Sequence, residues 1–192
     1  GSIPGYTNCH VEKADFNEIC KSEKGDDYRL DTTADNYGLV DKNCSPGKKR
    51  GKCIKISDIK GIVPGIKCGL SSSLNKNWCS DDYGQGFSTY GSKGADCTGG
   101  QVRAACSKTK DIKDGDQLWG IKCGSWPSIQ DQWCKNDFGG EYFYSGKGGQ
   151  KGNPSYPIDS SAINYDYVDS CPSGSGRVKC VKNPPAEFDQ IV

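Results

Sequence analysis

Twelve of the 192 residues are cysteines, the side chains with the most chemistry to offer here. They stand at Cys9, Cys20, Cys44 and Cys53, at Cys68, Cys79, Cys97 and Cys106, and at Cys123, Cys134, Cys171 and Cys180. Thiolates at that density either hold metal or pair as disulfides. Zinc sites use C-x2-4-C spacings, commonly with histidine. No two cysteines stand that close, and the sole histidine is His10. Six disulfides, with no metal and no cofactor, are therefore expected. A dense, even count implies an oxidising compartment and a secreted chain.

Other chemistry is less well supported. A Ser–His or Cys–His nucleophile needs a histidine oriented by a third group, and His10 has no later counterpart, so it reads as a surface histidine. Asp26-Asp27 and Asp81-Asp82 suggest paired-carboxylate glycoside chemistry, but Asn136-Asp137 stands at the third equivalent place. The acid that does recur, at Glu23, Asp82 and Asp137 just before a glycine, reads as a structural carboxylate bonding nearby backbone N–H groups. DIKDGDQ (111–117) has acids at relative positions 1, 4 and 6 and Lys122 at position 12. An EF-hand needs 1, 3, 5 and an acid at 12, so this stretch is read as a linker. No enzyme is expected.

The cysteines form three quartets. Ten residues separate the first and second of each quartet and eight separate the third and fourth; only the middle gap varies, at 23, 17 and 36. Around them the chain repeats C-x-x-[DE]-x-G-x-x-[FY] after the second cysteine (20–28, 79–87, 134–142) and C-x-K after the fourth (Lys55, Lys108, Lys182). GIKCG occurs at 65–69 and 120–124, each followed by Trp-Cys (Trp78-Cys79, Trp133-Cys134), while the first quartet has YTNCH and Ile19-Cys20. Self-similarity of this kind predicts tandem units. The boundaries fall at 1–57 for a diverged first module, 58–112 for a second, and 113–192 for a third with an inserted loop.

To position these cysteines each module needs regular elements. Apolar spacing with a closing glycine predicts helices over 13–25, 72–84 and 127–139. GIVPGIKCG reads as an entry strand, and YDYVDSC (165–171) with GRVKCV (176–181) as a hairpin across PSGSG. The fold class is α+β: three small disulfide-stapled modules, each roughly β-α-β-β, packed together. A helix between the first two cysteines would hold their Cα atoms about 12 Å apart, beyond disulfide reach. That leaves the second cysteine to pair with the third or fourth. Ile, Leu, Val and Phe number only 31 of the 192 residues. Bridges, at about 2–4 kcal/mol each, and aromatic residues must therefore make up for a small aliphatic core.

The binding candidates are aromatic and basic. Trp78 and Trp133 sit at a repeated place beside cysteines and read as core. Trp119 and Trp126 have no repeat counterpart, and with Tyr144 and Tyr156 they are candidate contact residues. The third module's insertion, SGKGGQKGNPSYPIDSSAINY, is either a binding loop or a tether. GKKRGKCIK (47–55) presents Lys48, Lys49 and Arg50 as a solvated hairpin tip, a polyanion contact or a dibasic processing site.

Lys plus Arg total 25 against 24 acids, which argues against a nucleic-acid partner. No stretch approaches the ~18 apolar residues of a membrane span. Gly1-Ser2 reads as a cloning remnant. The four-cysteine modules, the dipeptides Tyr83-Gly84, Trp133-Cys134 and Asp96-Cys97, and the Gly-, Tyr- and Asn-rich loops without Met resemble the small secreted cysteine-rich proteins that plant-associated and pathogenic fungi release as effectors. The resemblance implies an extracellular, non-enzymatic protein of virulence type acting on a host protein or a cell-wall glycan. A lectin-like binder of cell-wall polysaccharide and an extracellular protease inhibitor are the alternatives.

Overall fold

The computed structural model describes residues 1–94 and 96–185. All twelve cysteines are paired, each within its own quartet. The first bonds the third: Cys9–Cys44, Cys68–Cys97 and Cys123–Cys171. The second bonds the fourth: Cys20–Cys53, Cys79–Cys106 and Cys134–Cys180. In each quartet the second cysteine lies on a helix and its partner lies on the strand below.

Residues 1–57 form β1 (His10–Val11), α1 (Phe16–Lys24), β2 (Tyr28–Leu30), β3 (Leu39–Val40), β4 (Lys48–Gly51) and β5 (Cys53–Lys55). Strand β4 lies between β1 and β3, and β2 pairs with β5. Residues 58–112 form β6 (Val63–Leu70), α2 (Trp78–Tyr83), β7 (Phe87–Lys93) and β8 (Gln101–Lys108), with β8 in the middle of the sheet. Beyond them lie β9 (Gln117–Trp119), β10 (Gly124–Ser125), α3 (Asp131–Phe138), β11 (Tyr142–Gly148) and β12 (Ser175–Lys182). Here β12 is central, with β11 along one edge and β9 and β10 along the other. Every named strand pair is antiparallel. The molecule is a disulfide-rich α+β fold.

The helices begin later than apolar spacing predicts. Separate 3-10 turns at 71–73 and 126–128 precede α2 and α3, and Pro127 falls in the second of these turns rather than at the start of the helix. Between that turn and α3, Ile129 and Gln130 are extended, which lets Ile129 reach the core. The helices stop where the sequence says, at Gly25, Gly84 and Gly139. Each has a positive φ and donates its N–H four residues back. This backbone conformation suits glycine.

The predicted hairpin of 165–171 with 176–181 does not form. Residues Tyr165–Tyr167 make a 3-10 turn, and β12 takes its partners from β9, β10 and β11. The inserted stretch supplies the reason. It folds into its own small core of Trp119, Ile158, Ala162 and Val168, and Cys171 N–H donates to Gly149 O. The insertion is thus a packed part of the body rather than a tether.

Packing crosses the expected boundaries. One cluster joins Ile59, Trp78, Tyr83 and Cys106 with Ile121, and Ile54 and Ile56 pack against it. A second joins Tyr90 and Ala105 with Leu118, Tyr142 and Val178. Polar ties run alongside: the hydroxyls of Thr32 and Tyr83 both donate to Pro64 O. Asn164, fully buried, donates to Tyr90 O and Trp119 O and accepts from Trp119 N–H.

The recurring acids accept hydrogen bonds from the chain that enters each sheet. Glu23 takes Asn8 N–H, Asp82 takes Ile66 N–H, and Asp137 takes Ile121 N–H at 3.0 Å. Burial raises the Asp137 carboxyl above its ordinary value, against the lowering pull of the Ile121 N–H. The native state therefore binds this proton more tightly than the unfolded chain. The resulting stabilisation is complete below the ordinary carboxyl value and is lost as pH rises through the raised one. Relative to Asp137→Asn, the wild type should gain stability as pH falls from 7 towards 3.5. Urea titrations of both proteins across that range check the sign.

Candidate functional site

Of the seven contact candidates, the structure brings two together. β10 delivers Trp126 into its 3-10 turn, and the loop after β11 carries Tyr156 back over the same sheet. Their ring centroids lie 5.2 Å apart at 63°. Both rings rest on glycines. A Cβ on Gly176 would come within 2.6 Å of the Trp126 ring, and one on Gly149 within 2.4 Å of Tyr156. A side chain at either place would push its ring off the sheet. The rings, with Ser155, Gly174 and Ser175, line an open cleft of about 370 Å³. Lys147 sits over the indole, its Nζ 4.8 Å from the ring centroid, and donates to Trp126 O. Trp126 is half-buried: one side packs on the core cluster, and the rest faces the cleft.

The other candidates lie elsewhere. Trp119 is 1% exposed. Its Nε1–H donates to Asp159 O, so it is core rather than contact surface, because the insertion covers it. Arg50 is also 1% exposed. It donates to Lys42 O, Thr7 O and Gly1 O, so the basic run is not a solvated tip at that residue. The run lies along β4, with Lys48 exposed and Lys49 half-covered. Tyr144 is exposed on β11, its N–H bonded to Asp131, and it does not line the cleft.

Cysteine spacing alone does not point to a shared arginine. Arg50, Arg103 and Arg177 each stand three residues before the last cysteine of a quartet, and all three are buried. From each, Nη1 donates to a carbonyl of the entering chain: Thr7, Gly65 with Ile66, and Gly120. From each, Nε reaches the chain just before the third cysteine: Lys42 O, the Asp96 carboxylate and Asp169 O. The buried guanidinium therefore ties the two chain segments that the outer disulfide joins. The signal is R-x-x-C, which occurs before the last cysteine of all three quartets.

Two clusters have catalytic or metal-binding residue types. Lys179 Nζ donates to Ser161 Oγ at 2.7 Å, a contact seen in Ser–Lys nucleophiles. Here, though, the hydroxyl donates to Asp159, and the ammonium lies 3.2 Å from the same carboxylate. The Asp159 carboxyl is lowered, first by the Ser161 hydroxyl and then, more weakly, by Lys179. The serine proton is directed to the acid and the ammonium donates to the serine oxygen, so Lys179 is not placed as a base for Ser161. Among the described residues, one group of potential metal ligands converges, Cys68, Asp96 and Cys97. Its two sulfurs are joined in a disulfide, and Arg103 holds its carboxylate.

No helix among the described residues is long and apolar enough to cross a membrane, and six disulfides are typical of extracellular proteins. No family model, curated protein or solved structure matches the chain, so its function must be read from its own geometry.

Proposed function

We propose that this protein is a secreted, non-enzymatic binding protein of effector type. In this reading it consists of three tandem copies of one β-α-β-β unit and binds an extracellular or cell-wall glycan through the Trp126–Tyr156 cleft. The cleft carries the reading: two half-open aromatic rings held at a fixed angle on a disulfide-braced sheet, with Ser155 and Ser175 beside them. Aromatic faces bury the apolar C–H surface of a sugar, and neighbouring hydroxyls meet its hydroxyls. The rings lose little freedom on binding because glycines and the core already hold them. The tandem-unit reading is supported by the common bridge pattern, the common arginine and the common acid-to-entry-strand bond.

Retention on insoluble cell-wall polysaccharides and on a glycan array tests the function. Trp126→Ala should weaken retention by about tenfold, which is ~1.4 kcal/mol, with an unchanged far-UV spectrum. Absence of wild-type retention on every glycan, or an equal affinity for the variant, would sink the reading.

A further inference from the structure

The three buried arginines are satisfied to different degrees, and the difference marks a second site. Arg103 makes a two-pronged bond with a carboxylate: Nε reaches Asp96 Oδ1 at 2.7 Å, and Nη2 reaches Asp96 Oδ2 at 2.9 Å. Arg50 places its Nη2 on Gly1 O. Arg177 is 7% exposed, yet its Nη2 has no hydrogen-bond partner among the described residues. No described carboxylate lies within ion-pair distance of it either; its bonds are Nε to Asp169 O and Nη1 to Gly120 O. The position that Asp96 holds, one residue before the third cysteine, is Ser170 in the last quartet.

This guanidinium lines a cleft of about 610 Å³ where residues 121–123 and 167–177 meet residues 71–102. Ser72, Ser92 and Ser170 bring hydroxyls to the same cleft, Lys122 a second cation, and Asp169 the one acid. Burial lowers Arg177 to about 10, so it stays cationic at neutral pH. No buried side-chain donor among the described residues is left unmet, so Nη2, which has no partner in the fold, is open to the cleft. Asp169 and Asp137 offset part of the charge, and an anion in the cleft would meet the open donor directly.

We propose that this cleft binds a carboxylated sugar, a hexuronate or a chain of them, whose carboxylate meets Arg177 Nη2 where Asp96 meets Arg103. The carboxylate supplies the missing acceptor, and Lys122 adds attraction. The serine hydroxyls match a polyhydroxylated ring better than an apolar acid, and the volume exceeds what a lone anion fills. This site shares its ligand class with the Trp126 cleft but none of its residues.

The test is isothermal titration of the intact protein with trigalacturonate, with neutral galactotriose and with a short poly-glutamate peptide. Arg177→Met removes two structural bonds and risks misfolding. The decisive variant is therefore Ser170→Asp, which places an internal carboxylate where Asp96 has one, with Ser170→Asn as its neutral control. The expected result is binding of trigalacturonate to wild type and Ser170→Asn, and a loss of about tenfold or more in Ser170→Asp. Galactotriose should bind at least about tenfold more weakly than trigalacturonate. Undetectable wild-type binding, equal binding by Ser170→Asp, or equal binding of galactotriose overturns the proposal. Preference for the peptide overturns the sugar assignment. Loss of trigalacturonate binding in Ser170→Asp, with its neutral-glycan retention equal to that of the wild type, separates this proposal's fate from that of the aromatic cleft.

Discussion

Removing the Cys134–Cys180 bridge as a double alanine variant should cost more stability than any other change considered for this protein. The bridge spans 46 residues, and loop-closure entropy alone gives about 4 kcal/mol at that length. Cys9–Cys44 spans 35 residues, and the same relation gives about 3.8 kcal/mol. Chain entropy therefore predicts nearly equal losses. The surroundings differ, however. Cys134 and Cys180 are both fully buried, in a cluster with Leu118 and Val178, while Cys9 and Cys44 are only half-covered. Losing the inner bridge also unpins α3 from β12 and leaves two small voids. Its loss should exceed that of Cys9–Cys44 by about 1–2 kcal/mol, read from guanidinium unfolding of the two variants side by side. Equal losses would show that packing around the inner sulfurs contributes nothing.

Gly124→Ala should destabilise by about 3 kcal/mol, a large effect for one methyl group. A Cβ there would lie 1.7 Å from the Trp133 ring, and the equivalent atom at Gly69 would lie 2.6 Å from Trp78. An indole is rigid and cannot bend away, so ring or strand must move. Gly139→Ala is the comparison. It has positive φ but nothing within 4 Å, so its cost is conformational and about 1 kcal/mol. Replacing Trp133 by Leu in the Gly124→Ala background should recover part of the loss, because the clash goes with the ring. Thermal melts of the three proteins check this order. A Gly124→Ala variant no worse than Gly139→Ala would remove the steric account of the repeated GIKCG.

That account joins two features that stood apart in the sequence. GIKCG and Trp-Cys occur together twice and are both missing from the first quartet, where His10 and Ile19 stand instead. The second glycine of GIKCG exists to let the tryptophan ring lie on the strand. The first gives room to the buried acid: a Cβ on Gly65 would come within 2.9 Å of Asp82 Oδ2, and one on Gly120 within 3.0 Å of Asp137 Oδ2. Where Ile19 replaces the tryptophan, the strand can carry His10, whose ring meets Phe16 edge-on.

Much of the local framework was legible because it depends on local chemistry. Cysteine count and spacing imply disulfides, glycines stop the helices, and the recurring acid reads as a structural carboxylate; none of these needs distant context. The aromatic contact candidates were legible only as a class. Trp119 and Trp126 are seven residues apart with no mark in the sequence to separate them, and an insertion 40 residues downstream covers one and not the other. In the basic run, Arg50 is buried by its bonds to Lys42 O and Thr7 O, partners that sequence distance hides.

By itself, then, the sequence determined a disulfide-stapled α+β chain, the glycines that stop its helices and its repeated carboxylates, since each follows from spacing and residue type. Which cysteines pair, where the helices start, which arginine keeps a donor open to a cleft, which tryptophan stays open and which sheets share a core were decided by the tertiary structure. Burial and hydrogen-bond satisfaction are properties of neighbours in space, and here those neighbours come from residues up to 74 positions apart.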